Sequence, residues 1–199
     1  MNNVCIIQYA WGEEFLHQVQ ITSNYTFLGC KNFSYDYRLY TNKPRTNVMW
    51  EKPKLILETL NHNYETVIWL DTDCLWLSNE PLDNVNTSCF GMTYHHACSH
   101  QSIDHYNAGM IIINNSKETI YLMNEWLNES DDNHQWQEQY ALNKIIKRKP
   151  HIVCCLENKY NSVCHIPEYS SNNPIIVSWH GTNNRNNKMI EYIKRLNND

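Results

Sequence analysis

Apolar and polar positions follow two rhythms along this chain, and the switches between them predict its elements. Val4-Cys5-Ile6-Ile7-Gln8-Tyr9 is a short apolar run of strand length, and from Glu13 to about Gln20 the apolar residues Phe15, Leu16 and Val19 take up helical spacing. Tyr35 to Tyr40 alternates aromatic with polar residues like a half-buried strand, Lys43-Pro44-Arg45 breaks it, and helical spacing resumes from Trp50 to Leu60. Thr66-Val67-Ile68-Trp69-Leu70 is β-branched and apolar, as a central strand covered on both faces should be, and it stops at Asp71-Thr72-Asp73. Further strands are expected at Cys89 to Tyr94, Gly109 to Ile113 and Ile175 to Trp179. Helices are expected at Lys117 to Asn128, Gln135 to Lys147 and Lys188 to Leu196, the last with Met189, Ile190, Ile193 and Leu196 inward.

Strands alternating with helices over the first seventy residues imply an α/β protein with a parallel, doubly wound sheet, whose ligands bind beyond the carboxyl ends of the strands. The second half reads as mixed, and no internal repeat is visible. A chain of 199 residues fits one core, so a single domain over residues 1–199 is expected.

Composition narrows the function classes. A formal net charge of −5, without long blocks of one sign, provides no electrostatic footprint for nucleic acid or an anionic membrane surface. Val4 to Tyr9 is too short to span a bilayer and no basic leader precedes it, so no transmembrane segment and a cytoplasmic location are expected. Eight cysteines at irregular spacing then read as reduced thiols. The sequons at Asn24 and Asn86 arise readily at this asparagine content. Richness in Asn, Ile, Lys and Tyr is what an AT-rich genome produces, as in some large DNA viruses and protists.

Candidate chemistry centres on Asp71-Thr72-Asp73. Two carboxylates at a strand end repel one another unless paired, and a hard divalent cation relieves the repulsion while bridging diphosphate oxygens. The hydrophobic strand, Asp71-Thr72-Asp73 and then Cys74-Leu75-Trp76-Leu77 together resemble the acidic signature of glycosyltransferases of the GT-A fold. Asn107-Ala108-Gly109 before Met110-Ile111-Ile112-Ile113-Asn114 resembles the Asn-Ala-Gly segment of retaining family 8 enzymes, the glycogenin and bacterial galactosyltransferase type. Trp136-Gln137-Glu138-Gln139-Tyr140-Ala141-Leu142-Asn143 is similar to their Asp-Gln helix start, with Glu138 for Asp. Val177-Ser178-Trp179-His180-Gly181 resembles the late His strand end of families 8 and 34, except that Gly181 follows His180 immediately.

That resemblance, running from Val4 to Lys188, implies a GT-A fold with a mostly parallel Rossmann-like sheet and a smaller mixed sheet on the acceptor side. It implies a metal-dependent transferase moving sugar from a UDP-sugar to a carbohydrate or glycoconjugate hydroxyl, with retention. Asp71, Asp73 and His180 would bind Mn²⁺ or Mg²⁺, a donor set that suits an octahedral oxygen-rich shell better than tetrahedral zinc. Thr72 and Gly181 belong to the same nucleotide-sugar site. Gln8, Tyr9 and Ala10 match the position that cradles uracil, Lys54 is placed to reach phosphate or ribose, and Arg185 or Lys188 is the candidate cation for the diphosphate. Glu138 and Gln139 would line the face of the sugar opposite the leaving group, and Asn107 would lie near sugar and acceptor. Outside this set, His95, His96, Cys98, His100 and His105 form a dense soft-ligand cluster that reads either as a zinc site or as part of an acceptor-shaping loop. A metal-dependent phosphohydrolase and a degenerate sugar-binding module are the competing readings.

Overall fold

The protein is described by a computed structural model covering residues 3–44, 47–85, 87–97, 103–129 and 137–198. Arg45, Asn86, Cys98, His100, Gln135 and Trp136, named above, lie outside the described residues. Strand β1 (Val4–Tyr9) leads into helix α1 (Glu13–Phe33), strand β2 (Asp36–Tyr40), helix α2 (Glu51–Leu60) and strand β3 (Thr66–Leu70). β1 pairs in parallel with β2 on one side and β3 on the other, as two helical crossovers require.

α1 continues well past Gln20 because its inward face carries Gln18, Thr22, Thr26, Gly29 and Cys30 in place of large apolar residues, while Phe27 and Leu28 face solvent. The buried Thr26 hydroxyl donates back to the Thr22 carbonyl one turn earlier at 3.4 Å. Gly29 makes room for Trp76, since a Cβ there would sit 2.3 Å from the indole ring.

Beyond β3 come β4 (Cys74–Trp76), β5 (Phe90–His95), β6 (His105–Tyr106) and β7 (Met110–Asn114), and the described residues between β3 and β7 include no crossover helix. β7 therefore enters antiparallel to β3, with Leu70 opposite Met110. The segment that precedes β7 is thereby carried to the carboxyl end of β3, where the Asp71 N–H donates to the Gly109 carbonyl at 2.7 Å. Helices α3 (Lys117–Asn128) and α4 (Gln137–Arg148) follow, then β8 (Val153–Leu156), β9 (Ser162–Val163), β10 (Ile176–Ser178) and α5 (Arg185–Leu196). The main sheet runs β2-β1-β3-β7-β5-β6, with β8 parallel to β5. It is parallel at its amino-terminal half and antiparallel from β7 to β6.

A small sheet, β4-β10-β9, mixes both senses. β10 runs antiparallel to β4, so Ser178 lies opposite Cys74 and the chain leaving β10 at His180 is delivered to the turn that carries Asp71 and Asp73. Alternate residues of each central strand feed two separate cores. Ile7, Val67, Trp69 and Ile111 pack with Ile56, Met123, Trp126 and Ile145 under α2, α3 and α4. Ile6, Ile68, Leu70 and Ile112 pack with Cys30 and Trp76 under α1. α5 begins at Arg185, earlier than its apolar spacing implied, and buries Met189 against Leu75, Val177 and Trp179, whereas Leu196, expected inward, is exposed. No helix of the described residues is long and apolar enough to cross a membrane.

Candidate active site at the convergent strand ends

The ends of β3 and β10 and the starts of β4 and β7 meet at a cleft of about 470 Å³. It is lined by Asp71, Thr72, Asp73, Asn107, Gly109, Glu138, Gln139, His180 and Gly181, which the sequence scatters over more than half the chain. Tyr9 lines it too, whereas Gln8, Ala10, Lys54 and Lys188 do not.

Asp71 leaves the sheet with its Oδ1 accepting from the Trp69 indole at 2.6 Å and paired with Lys52 Nζ at 3.1 Å. The Lys52 ammonium, almost wholly buried, also reaches Glu138 Oε1 at 3.0 Å and the Ala108 carbonyl at 2.9 Å. Burial works against its charge, but the carboxylates of Asp71 and Glu138 outweigh that and hold it protonated, with its pKa raised. Glu138 is 2% exposed, and its Oε2 has no hydrogen-bond partner among the described residues. An unpaired buried carboxylate oxygen is costly, so this atom is suited to a ligand hydroxyl. Gln139 accepts the Ala108 N–H at 2.7 Å, and the Trp126 indole donates to the Glu138 carbonyl at 2.6 Å, which fixes the start of α4 against the cleft.

Asp73 stands on the other side of the turn. Its Oδ2 pairs with Arg185 Nη1 at 2.9 Å, and burial, reinforced by the Asp71 charge, pushes its carboxyl above the usual range despite that guanidinium. Between the two acids, Thr72 is clamped by α1: its hydroxyl donates to Gln18 Oε1 and its carbonyl accepts from Thr22 at 3.1 Å.

His180 is held by Asn107. Asn107 Oδ1 accepts from the Gly109 N–H at 2.8 Å and from Asn161 Nδ2 at 2.7 Å, which turns its Nδ2 to His180 Nε2 at 3.1 Å. Ser178 Oγ lies 3.2 Å from His180 Nδ1. Gly109 is required here, because a Cβ would stand 2.9 Å from Asn107 Oδ1. Burial lowers the His180 pKa to about 4 against the pull of Asp71, so the imidazole is neutral at pH 7, with its Nε2 lone pair accepting from Asn107. Two carboxylates and a neutral imidazole on one cleft fit a divalent cation in donor chemistry. In the arrangement described, Lys52 and Arg185 hold the carboxylates, and among the described residues no group of three or more His, Cys, Asp or Glu side chains is drawn together as a metal site.

Several expected positions need correction. Gln8 is fully buried, its Nε2 on the Asp71 carbonyl at 3.2 Å and its Oε1 on the Tyr37 hydroxyl at 2.7 Å, so it braces the strand end from behind. Ala10 is likewise buried, with its N–H on the Tyr40 carbonyl. Lys54, about a third exposed, pairs with the buried Glu51 at 3.3 Å on α2. The sequence held the signal for Lys52: positions 52, 55, 56, 59 and 60 form the buried stripe of that helix, and 54 falls off it. Lys188 is exposed and donates to Thr182, while Arg185 turns into the cleft. Trp11 and Phe15 line the cleft beside Tyr9 and were missed: a lone exposed aromatic such as Trp11 carries no periodic signal, and the helical spacing of Phe15 reads as core. His95 and His105 face one another across β5 and β6 with ring centroids 5.3 Å apart, and His95 stacks on His180; Cys98 and His100 of the expected soft-ligand cluster lie outside the described residues.

The sequence matches the model of the nucleotide-diphospho-sugar transferase family over residues 13–189. A curated relative, an uncharacterised protein of Arabidopsis thaliana, is 28% identical over 116 residues, 55% of this chain, which spans about a third of that protein's length. Among solved structures, a glycosyltransferase involved in glycosylation of the major capsid of PBCV-1 superposes with a TM-score of 0.77 at 16% identity, covering 95% of this chain and 99% of that one. An active-site variant of LgtC gives 0.65 at 15% identity, covering 96% and 95%. GlyE of Streptococcus pneumoniae gives 0.63 at 13% identity, covering 96% of this chain and 60% of its own. Likeness at these identities establishes the shared fold.

Proposed function

The chain belongs to the nucleotide-diphospho-sugar transferase family, and on that premise we propose that it moves a sugar from a UDP-sugar to a hydroxyl of a carbohydrate or glycoconjugate, with retention of anomeric configuration. One observation carries the reading: Asp71, Asp73, His180 and an unpaired oxygen of Glu138 all front one cleft at the carboxyl end of β3. Asp71, Asp73 and His180 would hold Mn²⁺ or Mg²⁺, which when bound supplies Lewis-acid stabilisation to the leaving diphosphate. Arg185, now paired with Asp73, carries a planar fork suited to phosphate oxygens and would face the diphosphate. Tyr9, Trp11 and Phe15 offer aromatic faces to the base.

Glu138 pairs with Lys52 through Oε1, which leaves Oε2 to take a hydrogen bond from a sugar hydroxyl and to stabilise positive charge developing at the anomeric carbon. The acceptor oxygen bonds to that carbon on the face from which the diphosphate departs, and the acceptor proton passes to a leaving phosphate oxygen. Gln139 and Asn107 fix the walls around this exchange.

A thermal-shift panel of UDP-, GDP- and CMP-sugars with and without Mn²⁺ tests the reading. A UDP-sugar at about 100 times its Kd should stabilise by about 2.7 kcal/mol, and only with metal. Asp73→Ala should abolish that shift. Glu138→Gln should retain it yet slow transfer about 100-fold. Stabilisation by UDP-sugar regardless of metal would remove the cation, and unchanged transfer would remove Glu138 from catalysis.

A further inference from the structure

His95, the last residue of β5, is fully buried, and neither of its ring nitrogens has a hydrogen-bond partner among the described residues. Burying an imidazole without partners costs free energy that a hydrocarbon ring would not. What the residue does supply is its faces. The Tyr169 ring stacks on it with centroids 4.0 Å apart and planes 14° apart, and the His180 ring stacks on it at 5.7 Å and 20°. Tyr169 is itself buried and anchored, its hydroxyl donating to the His96 carbonyl at the end of β5.

The two hydrogen bonds of His180, from Asn107 and to Ser178, engage ring nitrogens whose lone pair and N–H point along the ring plane, and they fix which nitrogen faces which partner. They restrain tilt out of that plane weakly. Stacking on a flat, immobile neighbour restrains it directly.

We propose that His95 is a positioning residue, which through its ring face sets the plane of the His180 imidazole and thereby the affinity of the Asp71, Asp73 and His180 end of the cleft for a divalent cation. The proposal rests on the role given to His180 above. Three variants test it: His95→Leu fills the volume without a ring, His95→Phe keeps the ring without nitrogens, and His180→Ala identifies the His180 signals. Mn²⁺ binding by electron paramagnetic resonance in the presence of UDP should weaken about 10-fold in His95→Leu and recover in His95→Phe. Imidazole NMR of the metal-free protein should show the His180 ring signals shifted or broadened in His95→Leu and close to wild type in His95→Phe, with both variants folded by thermal melting.

Wild-type binding and ring signals in His95→Leu would overturn the proposal, and so would a folded His95→Phe as impaired as His95→Leu. If His180→Ala binds Mn²⁺ as well as wild type, the metal role of His180 fails separately, and the ring signals of the metal-free variants still decide whether His95 sets its plane.

Discussion

Asp71 and Asp73 are two residues apart and differ in almost everything else. Asp71 belongs to the main sheet: its partner Lys52 is locked inside α2, shared with Glu138 and the Ala108 carbonyl, and sealed from water. Asp73 belongs to the small sheet: its partner Arg185 opens the carboxyl-terminal helix α5, is about a quarter exposed, and also lies 3.9 Å from Glu14. A buried cation shared among three acceptors cannot leave without stranding two charges, whereas a partly exposed guanidinium with one buried partner strands only one. One acid is built into the fold and the other is held ready for a ligand.

Removing the locked cation should have the largest effect. Lys52→Met leaves Asp71 and Glu138 facing each other without compensation and should cost about 3–5 kcal/mol of stability, read by thermal or urea unfolding. A loss below about 1 kcal/mol would mean that the trio is not a charged unit. Next comes the floor under Asp73. Gly29→Ala places a methyl among ring atoms of Trp76, so overpacking of about 1–3 kcal/mol should outweigh the helix propensity gained. A stabilised Gly29→Ala would show that α1 can slide without consequence.

Acid probes the histidine side of the cleft. Burial lowers the pKa of His95 to about 3 and of His180 to about 4, so the fold keeps them neutral while the unfolded chain takes up protons below about pH 6.5. Stability contributed by these residues is therefore present above that pH and lost as pH falls towards 4. Asp73 acts in the opposite sense, since its raised pKa favours the fold at low pH and that contribution fades as pH rises through it. Two imidazoles outweigh one carboxyl, and the melting temperature should fall by roughly 5 °C between pH 7 and pH 5. A flat profile would contradict the burial of His95. The smallest change is expected at the releasable cation: Arg185→Gln should cost about 1 kcal/mol, well below Lys52→Met because the raised Asp73 carboxyl can take up a proton, while weakening UDP-sugar binding in the thermal-shift panel. A large loss of stability would place Arg185 in the same class as Lys52.

The half of the molecule that alternates strand and helix was legible because its buried faces are apolar and periodic, from Val4 to Leu70. Where burial is polar, the pattern went silent: the inward face of α1 is Gln18, Thr22, Thr26 and Gly29, and its carboxyl half was not foreseen. Short strands such as β6 and β9 have too few residues for any period to register. At the site, residue types at motif positions identified Asp71, Asp73, Asn107, Glu138 and His180 as one group. They did not identify Lys52, because a lysine on a helix reads as solvated until its stripe is traced.

By itself the sequence determined the core strands, the helical stripes and the residues with chemistry to offer, since these follow from side-chain polarity repeated at the backbone's own period. Only the tertiary structure decided which of them meet. The antiparallel entry of β7 carries Asn107 to Asp71, and the antiparallel return of β10 carries His180 to the same cleft. Strand direction depends on what fills the connection between strands, which no local pattern in the strands themselves encodes.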